Sequence, residues 1–355
     1  MLARRLLMVA GGSGAFTLPE DDVALGWYNV KSYGAVGNGS HDDTAAITAA
    51  ITAAPERSTV YFPPGVYKIT SALAISKGLL LRGSGYPLGQ YNDHSGGTVI
   101  WQATVNTNGI TCSQSPNVDV TNTTWIEGLR ITAQGDGTPS SGVGVYGLTD
   151  VNLSRCMVDN FYTNVQLDDH SWGSSFLDVN LSTPVYANLL LGASPGGATT
   201  TNHLQARSLI CAGGQYGIVA TNSQLLDFEG CLFEAATVAG VVLDGAASGN
   251  LAEYAATFSG CWFESPAARQ LSLGPNYAIG GVTVTGSLFA TLASGGYGIR
   301  QDHGGPLTVT GGRFNHTSEA DAIYGGAGAG VLVAVNVDLN GGSVSWAGTS
   351  YSHLP

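Results

Sequence analysis

Residues 225–236 read "LLDFEGCLFEAA" and residues 255–266 read "AATFSGCWFESP", nearly one phrase written twice, each closing on a glutamate, Glu234 and Glu264. With Gly230 and Gly260 as anchors, matching positions fall at Gly128, Arg155, Asn180, Arg207, Gly286, Gly311 and Asn336, in steps of 27, 25, 27, 23, 30, 26, 25 and 25 residues. A repeat of this length, built from β-type segments, is a solenoid signature. Four and two residues before the anchor the chain is mostly apolar, as at Val151 and Leu153, Leu226 and Phe228, Val282 and Val284, and Leu307 and Val309. That is the period of a strand with one face on a core.

Past the anchor the apolar parity switches. The inward positions become one and three residues after it: Cys156 and Val158, Cys231 and Phe233, Cys261 and Phe263, Ser287 and Phe289, Gly312 and Phe314. A parity change at a small or polar residue means a bend from one sheet to the next. The pattern predicts an all-β, single-stranded parallel β-helix with coils of about 25 residues. Phe233, Phe263, Phe289 and Phe314 should stack inside it. Cys156, Cys231 and Cys261 share the inward column and read as small core residues. Stacking at about 4.8 Å keeps Cys231 and Cys261 side by side as thiols, beyond the usual Cβ separation for a bridge.

Composition agrees with a turn-rich β surface. Charged residues are 11% of the 355, against about 25% in an average domain, and there are 51 glycines. The formal net charge is -12, and the only lysines are Lys31, Lys68 and Lys77. Such a chain lacks the basic patch that nucleic-acid binding requires, and the same deficit disfavours a polyanionic ligand. Five cysteines without CxxC or Cys/His spacing argue against a disulfide framework or a zinc site, and no cofactor is implied. The opening "MLARRLLMVAGGSGAF" has a signal-peptide flavour, but its apolar run is short and insufficient for membrane insertion. Residues 1–26 read as an N-terminal arm, residues 27–345 as the β-helix and residues 346–355 as a short tail covering its open end.

The stretch "YNVKSYGAVGNGSHDDTAAITAAITAA" (28–54) gives a strand, a Gly/Asn turn, N-cap candidates Asp42 and Asp43, and a helix with Ala46, Ile47, Ala50, Ile51 and Ala54 on its apolar side. "STVYFPPGVYKI" and "GLLLRGSG" follow as strands. The order strand, GAxGxGxxDDT, helix, VYFPPGxY resembles the N-terminal cap of the pectate-lyase-superfamily right-handed parallel β-helix, in the version found in many bacteriophage tailspikes and depolymerases. The resemblance covers residues 28 to about 85 and implies that the helix plugs the first coil. It also implies carbohydrate as the ligand, a homotrimer, and attachment of the N-terminal arm to a phage tail or adaptor protein in the virion.

The fourth position after the anchor returns to the outer face. That column holds Thr132, Asp159, Pro184, Cys211, Glu234, Glu264, Ala290, Asn315 and Asn340, and only Glu234 and Glu264 form an adjacent acidic pair. One coil apart is roughly 5 Å, a spacing that costs stability by like-charge repulsion and suits a retaining glycosidase. Solvated surface is the plain alternative. Trp262 projects from the same face and offers a platform for a sugar ring, or a surface for a neighbouring subunit. Arg313, Asn315 and His316 follow two coils later as hydrogen-bonding contacts.

A second cluster, Asp168, Asp169 and His170 with Trp172 behind, falls at a coil corner and is the alternative catalytic or calcium-binding set. "IRQDHGG" (Arg300, Asp302, His303) occupies a comparable corner, and Asp159 is a further single candidate. Lyases of the resembled superfamily need calcium or basic residues, whereas every lysine here precedes residue 78. The NTD, DD, GHG and RIK set of polygalacturonases is also absent. Hydrolysis therefore ranks above elimination. Three classes remain: a phage tailspike that binds and cleaves a bacterial surface polysaccharide, a secreted polysaccharide hydrolase or lyase, and a noncatalytic adhesin or structural spike.

Overall fold

The computed structural model describes residues 26–86, 96–113, 123–133, 142–168, 173–192, 201–221, 223–244, 255–264, 269–274, 281–292, 295–302, 304–316, 321–340, 342–348 and 350–354. They build an all-β parallel β-helix. Each coil contributes strands to three faces, and successive coils pair in parallel along each one. The leading face stacks Thr124–Glu127, Val151–Ser154, Ser174–Leu177, Thr201–Arg207, Ser223–Glu229 and Ala255–Ser259 in order. After a bend comes a face of short strands, among them Arg130–Ala133, Met157–Asp159, Asn180–Ser182, Ile210–Ala212, Leu232–Glu234 and Trp262–Glu264. Toward the C-terminal end one strand, Leu307–His316, runs through the bend, so these two faces merge into one 23-stranded sheet. The third face is an 11-stranded sheet running from Leu73–Ile75 to Ser343–Trp346.

The predicted parity holds on both sides of the bend. Val151, Leu153, Leu226, Phe228, Val282, Val284, Leu307 and Val309 are buried in one continuous core. Phe233, Phe263, Phe289 and Phe314 are fully buried, with successive ring centroids 5.0, 4.5 and 4.5 Å apart. A second stack, Phe228 on Phe258 at 5.1 Å, meets it from the leading face. Offset and edge-on ring packing adds about 0.5–1.5 kcal/mol per pair beyond area burial. All five cysteines are buried free thiols, and burial pushes Cys156 up to about 11 and Cys112 to about 12.

The bend is made by one residue in the left-handed region. Gly128, Arg155, Gly230, Gly260, Gly286, Gly311 and Asn336 all have φ between 50° and 65°. In the two remaining coils this residue is Asp178 (φ 52°) and Ser208 (φ 53°), not Asn180 and Arg207. The expected outer column is corrected accordingly. Ser182 and Ala212 occupy it where Pro184 and Cys211 were expected, and Cys211 lies inside, level with Phe233. Corner loops of unequal length hid the register, because only backbone conformation distinguishes the bend. At Gly230 and Gly260 a Cβ would meet nothing within 4 Å, so glycine is favoured there by its tolerance of positive φ.

The helix Thr44–Ala53 is the one α-helix among the described residues, and it buries Ile47, Ala50 and Ile51 over the first coil. The two aspartates before it divide the work. Asp42 accepts from the Thr44 amide at 3.1 Å and the Thr70 hydroxyl at 2.7 Å, tying the helix start to the neighbouring strand. Asp43 is fully buried and accepts instead from the amides of Val36 at 2.7 Å and Gly37 at 3.0 Å. Its carboxylate thus pins the glycine turn against the helix. At the other end, Ser350–Leu354 pairs with Val331–Val335 and adds a further strand to the leading face. No described helix is long and apolar enough to cross a membrane.

Candidate functional site

Glu234 and Glu264 end successive short strands and pair in register, as do Leu232 with Trp262 and Phe233 with Phe263. Phe233 and Phe263 point into the core, so the glutamates and their i−2 neighbours point out. Both glutamates are half-buried, and among the described residues neither has an ion-pair partner. Trp262 is 47% exposed. Its column continues through Leu288 to Arg313, so two coils separate the indole from that guanidinium. Arg313 is itself exposed and lies 3.4 Å from Asp338. Asn315 follows Phe314 on the same face and is half-buried. His316 ends that strand, and its side chain lies outside the description.

The register reveals two neighbours that the sequence reading passed over. Leu232 and Leu288 flank Trp262 on adjoining coils and are half-buried. Together the three side chains form an apolar strip alongside the paired carboxylates. Their signal was the same i−2 position that singled out Trp262. An apolar strip of this kind is the surface type that aromatic–sugar stacking uses.

The alternative cluster lies on another face. Asp168 directly follows the third-face strand Thr163–Leu167, is buried, and accepts from Gln166 Nε2 at 2.7 Å. Asp169, His170 and Trp172 lie outside the described residues, as do His303 and the loop 245–254. Arg300 and Asp302 pair at 2.7 Å, with the guanidinium 5.4 Å from the Tyr297 ring and 5.3 Å from the Tyr324 ring. The carboxylate beside it raises the Arg300 pKa. That corner is a self-contained packed cluster.

Asp159 corrects an expectation. It sits in the same column as the glutamates but is fully buried, 2.6 Å from the guanidinium of Arg130, which is also fully buried. Arg130 escaped notice because arginine at an outward position reads as surface. A further feature with no counterpart in the sequence reading is a groove of about 630 Å³ beside the bend near the N-terminal end, lined by Trp27, Tyr61, Arg82, Tyr86, Glu127 and Arg155 among others. Among the described residues no group of three or more His, Cys, Asp or Glu side chains is placed to hold a metal ion.

The fold and this face define a pectate-lyase-like β-helix. Residues 27–243 match the family described as rhamnogalacturonase A/epimerase, pectate lyase-like, and the chain belongs to that family. Among curated proteins it is similar to mannuronan C5-epimerase AlgE6 of Azotobacter vinelandii, 51% identical over 55 residues. That match takes in 15% of this chain and 6% of the epimerase's length. Among solved structures, the A-module of mannuronan C-5 epimerase AlgE4 from A. vinelandii superposes with a TM-score of 0.55 at 16% identity, covering 92% of this chain and 99% of the module. The gp42 tailspike of Acinetobacter phage vb_AbaP_AS12 gives 0.56 at 11% identity, covering 92% of this chain and 61% of the tailspike. At such identities the structural likeness establishes the fold.

Proposed function

We propose that this protein binds a polysaccharide along the short-strand face and hydrolyses it with Glu234 and Glu264, as a tailspike acting on a bacterial surface polysaccharide. One observation carries the reading: two carboxylates without ion-pair partners among the described residues, in register on adjacent coils beside an exposed indole. Adjacent coils set them roughly 5 Å apart, the separation of a retaining pair. One carboxylic acid protonates the departing glycosidic oxygen while the other, ionised, attacks the anomeric carbon to give a glycosyl ester. Water then cleaves that ester and surrenders its proton to the first group. Trp262 supplies the sugar platform, and Arg313, Asn315 and His316 extend the contact along the axis.

The likeness to a phage tailspike supports a place in the virion tail, with the N-terminal arm as attachment and a homotrimer as the assembled form. Light scattering on the whole chain tests the assembly, and a stable monomer would refute the trimer. The activity test incubates the protein, Glu234→Gln and Glu264→Gln with polysaccharide from the natural host. It follows new reducing ends together with the ultraviolet absorbance of unsaturated uronate. Reducing ends without absorbance, lost in both variants, support hydrolysis at this pair. Growing absorbance indicates a lyase, and full activity in both variants moves the site to the Asp168 corner.

A further inference from the structure

The groove near the N-terminal end is built from five successive coils. Tyr61, Arg82 and Glu127 stack in register on the outer side of the leading face, with Trp27 on the first coil 5.5 Å from the Tyr61 ring. Arg82 lies 5.7 Å from the centre of the Trp27 ring, and its Nε is 3.8 Å from Glu127 Oε2. Arg155, in the left-handed bend of the next coil, donates to the other oxygen, Glu127 Oε1. The carboxylate therefore holds both guanidinium groups in place. Each guanidinium has five N–H donors, and one nitrogen of each is engaged with Glu127. Gly83, Gly85 and Gly128 keep the wall free of side chains. Tyr86 is partly withdrawn from water, and burial raises its phenol pKa.

Charge selects the ligand class. The chain carries a formal charge of -12 with ten arginines among its 13 basic residues. Yet two of those arginines line one groove with a single carboxylate between them. A groove of about 630 Å³ is within the usual range of about 300–1,000 Å³ for small-ligand sites. Guanidinium forks match carboxylates in geometry, and aromatic rings match sugar faces.

We propose that this groove is a subsite for a carboxylated sugar, its ring against Trp27, Tyr61 and Tyr86 and its carboxylate held by the donors of Arg82 and Arg155 that Glu127 leaves open. The proposal takes from the preceding reading only that the ligand is a saccharide. The site is distinct from the glutamate pair. Arg155, Asp178, Ser208 and Gly230 succeed one another along the bend, so three coils, roughly 14 Å, separate the two. A polysaccharide running along the axis reaches both, anchored by an acidic unit at one and cleaved at the other. Overall anionic charge repels a dense polyanion, whereas a single local pair of arginines accepts one acidic unit at a time.

The test titrates methyl glucuronide and its neutral twin methyl glucoside into the full-length protein, followed by ligand-observed NMR. The glucuronide should bind at least tenfold more tightly, with affinity falling as salt rises. Arg155→Gln and Arg82→Gln should each remove most of that preference, while Glu264→Gln retains it. Equal affinity for the two sugars, a preference unchanged in both arginine variants, or its loss in Glu264→Gln overturns the proposal. Reducing-end release by the wild-type protein is read separately, so failure of the groove and failure of the hydrolytic pair give different patterns.

Discussion

The short-strand face presents acidic side chains at one repeating position in two different settings. Asp159 is fully buried against Arg130, whereas Glu234 and Glu264, on later coils, are half-buried beside an exposed tryptophan. At the first position a fully buried carboxylate lies against a fully buried guanidinium, a structural pair whose value depends on both partners remaining. At the second, two half-buried carboxyl groups stand side by side without an ion-pair partner among the described residues, the arrangement on which the proposed hydrolysis rests. Position in the repeat thus sets direction, and what lies over the face sets chemistry.

That contrast is sharpest in activity. Replacing either glutamate by glutamine should lower turnover by about 10²–10⁴-fold while leaving polysaccharide binding largely intact. A pull-down on host polysaccharide beside a reducing-end assay checks both halves. Stability should show the reverse ranking. Asp159→Asn breaks the buried pair and should cost about 3–5 kcal/mol in urea unfolding, whereas joint replacement of Arg130 by Met and Asp159 by Leu should recover most of it. Glu234→Gln and Glu264→Gln should stay within about 0.5 kcal/mol of wild type. A comparable loss in the glutamine variants would show that both regions are structural.

Between these regions runs the shared core, which sets the scale for both. Phe263→Ala removes a ring stacked at 4.5 Å on Phe289 and should cost about 3–5 kcal/mol by calorimetry or urea titration. The smallest expected effect is at the cap. Hydrogen bonds from Thr44 and Thr70 lower the Asp42 pKa below its ordinary value. Its folded form is therefore favoured above the unfolded carboxylate's pKa, and that advantage fades as pH falls through the lowered folded value. Asp42→Asn should flatten this acid limb in a plot of melting temperature against pH while barely altering the neutral range. An unchanged limb would assign the acid sensitivity elsewhere.

Legibility followed the physics of each feature. Phe233, Phe263, Phe289 and Phe314 were readable because a core column is written into side-chain identity at a fixed offset from the bend. The in-register pairing of Glu234 with Glu264 came with it, since both belong to coils whose bend is a glycine. Asp178 and Ser208 were misread as bends at Asn180 and Arg207, because the left-handed conformation leaves little trace when a non-glycine residue adopts it. Asp43 was recognised as a helix-cap residue, but its carboxylate serves the turn at Val36 and Gly37. A cap and a loop staple look alike in sequence.

By itself, the sequence determined that this chain winds into a parallel β-helix with an internal phenylalanine ladder, since alternation and repeat length are local and survive variable corners; the plugged first coil came from the cap motif's resemblance to the pectate-lyase superfamily. Only the tertiary structure decided which outward residues become neighbours and which become dry. Arg130 and Asp159 are 29 residues apart, and Arg82, Glu127 and Arg155 come from separate coils. The physical reason is that stacking converts long sequence separations into single steps of about 4.8 Å, and the dielectric around each charge depends on everything packed over it.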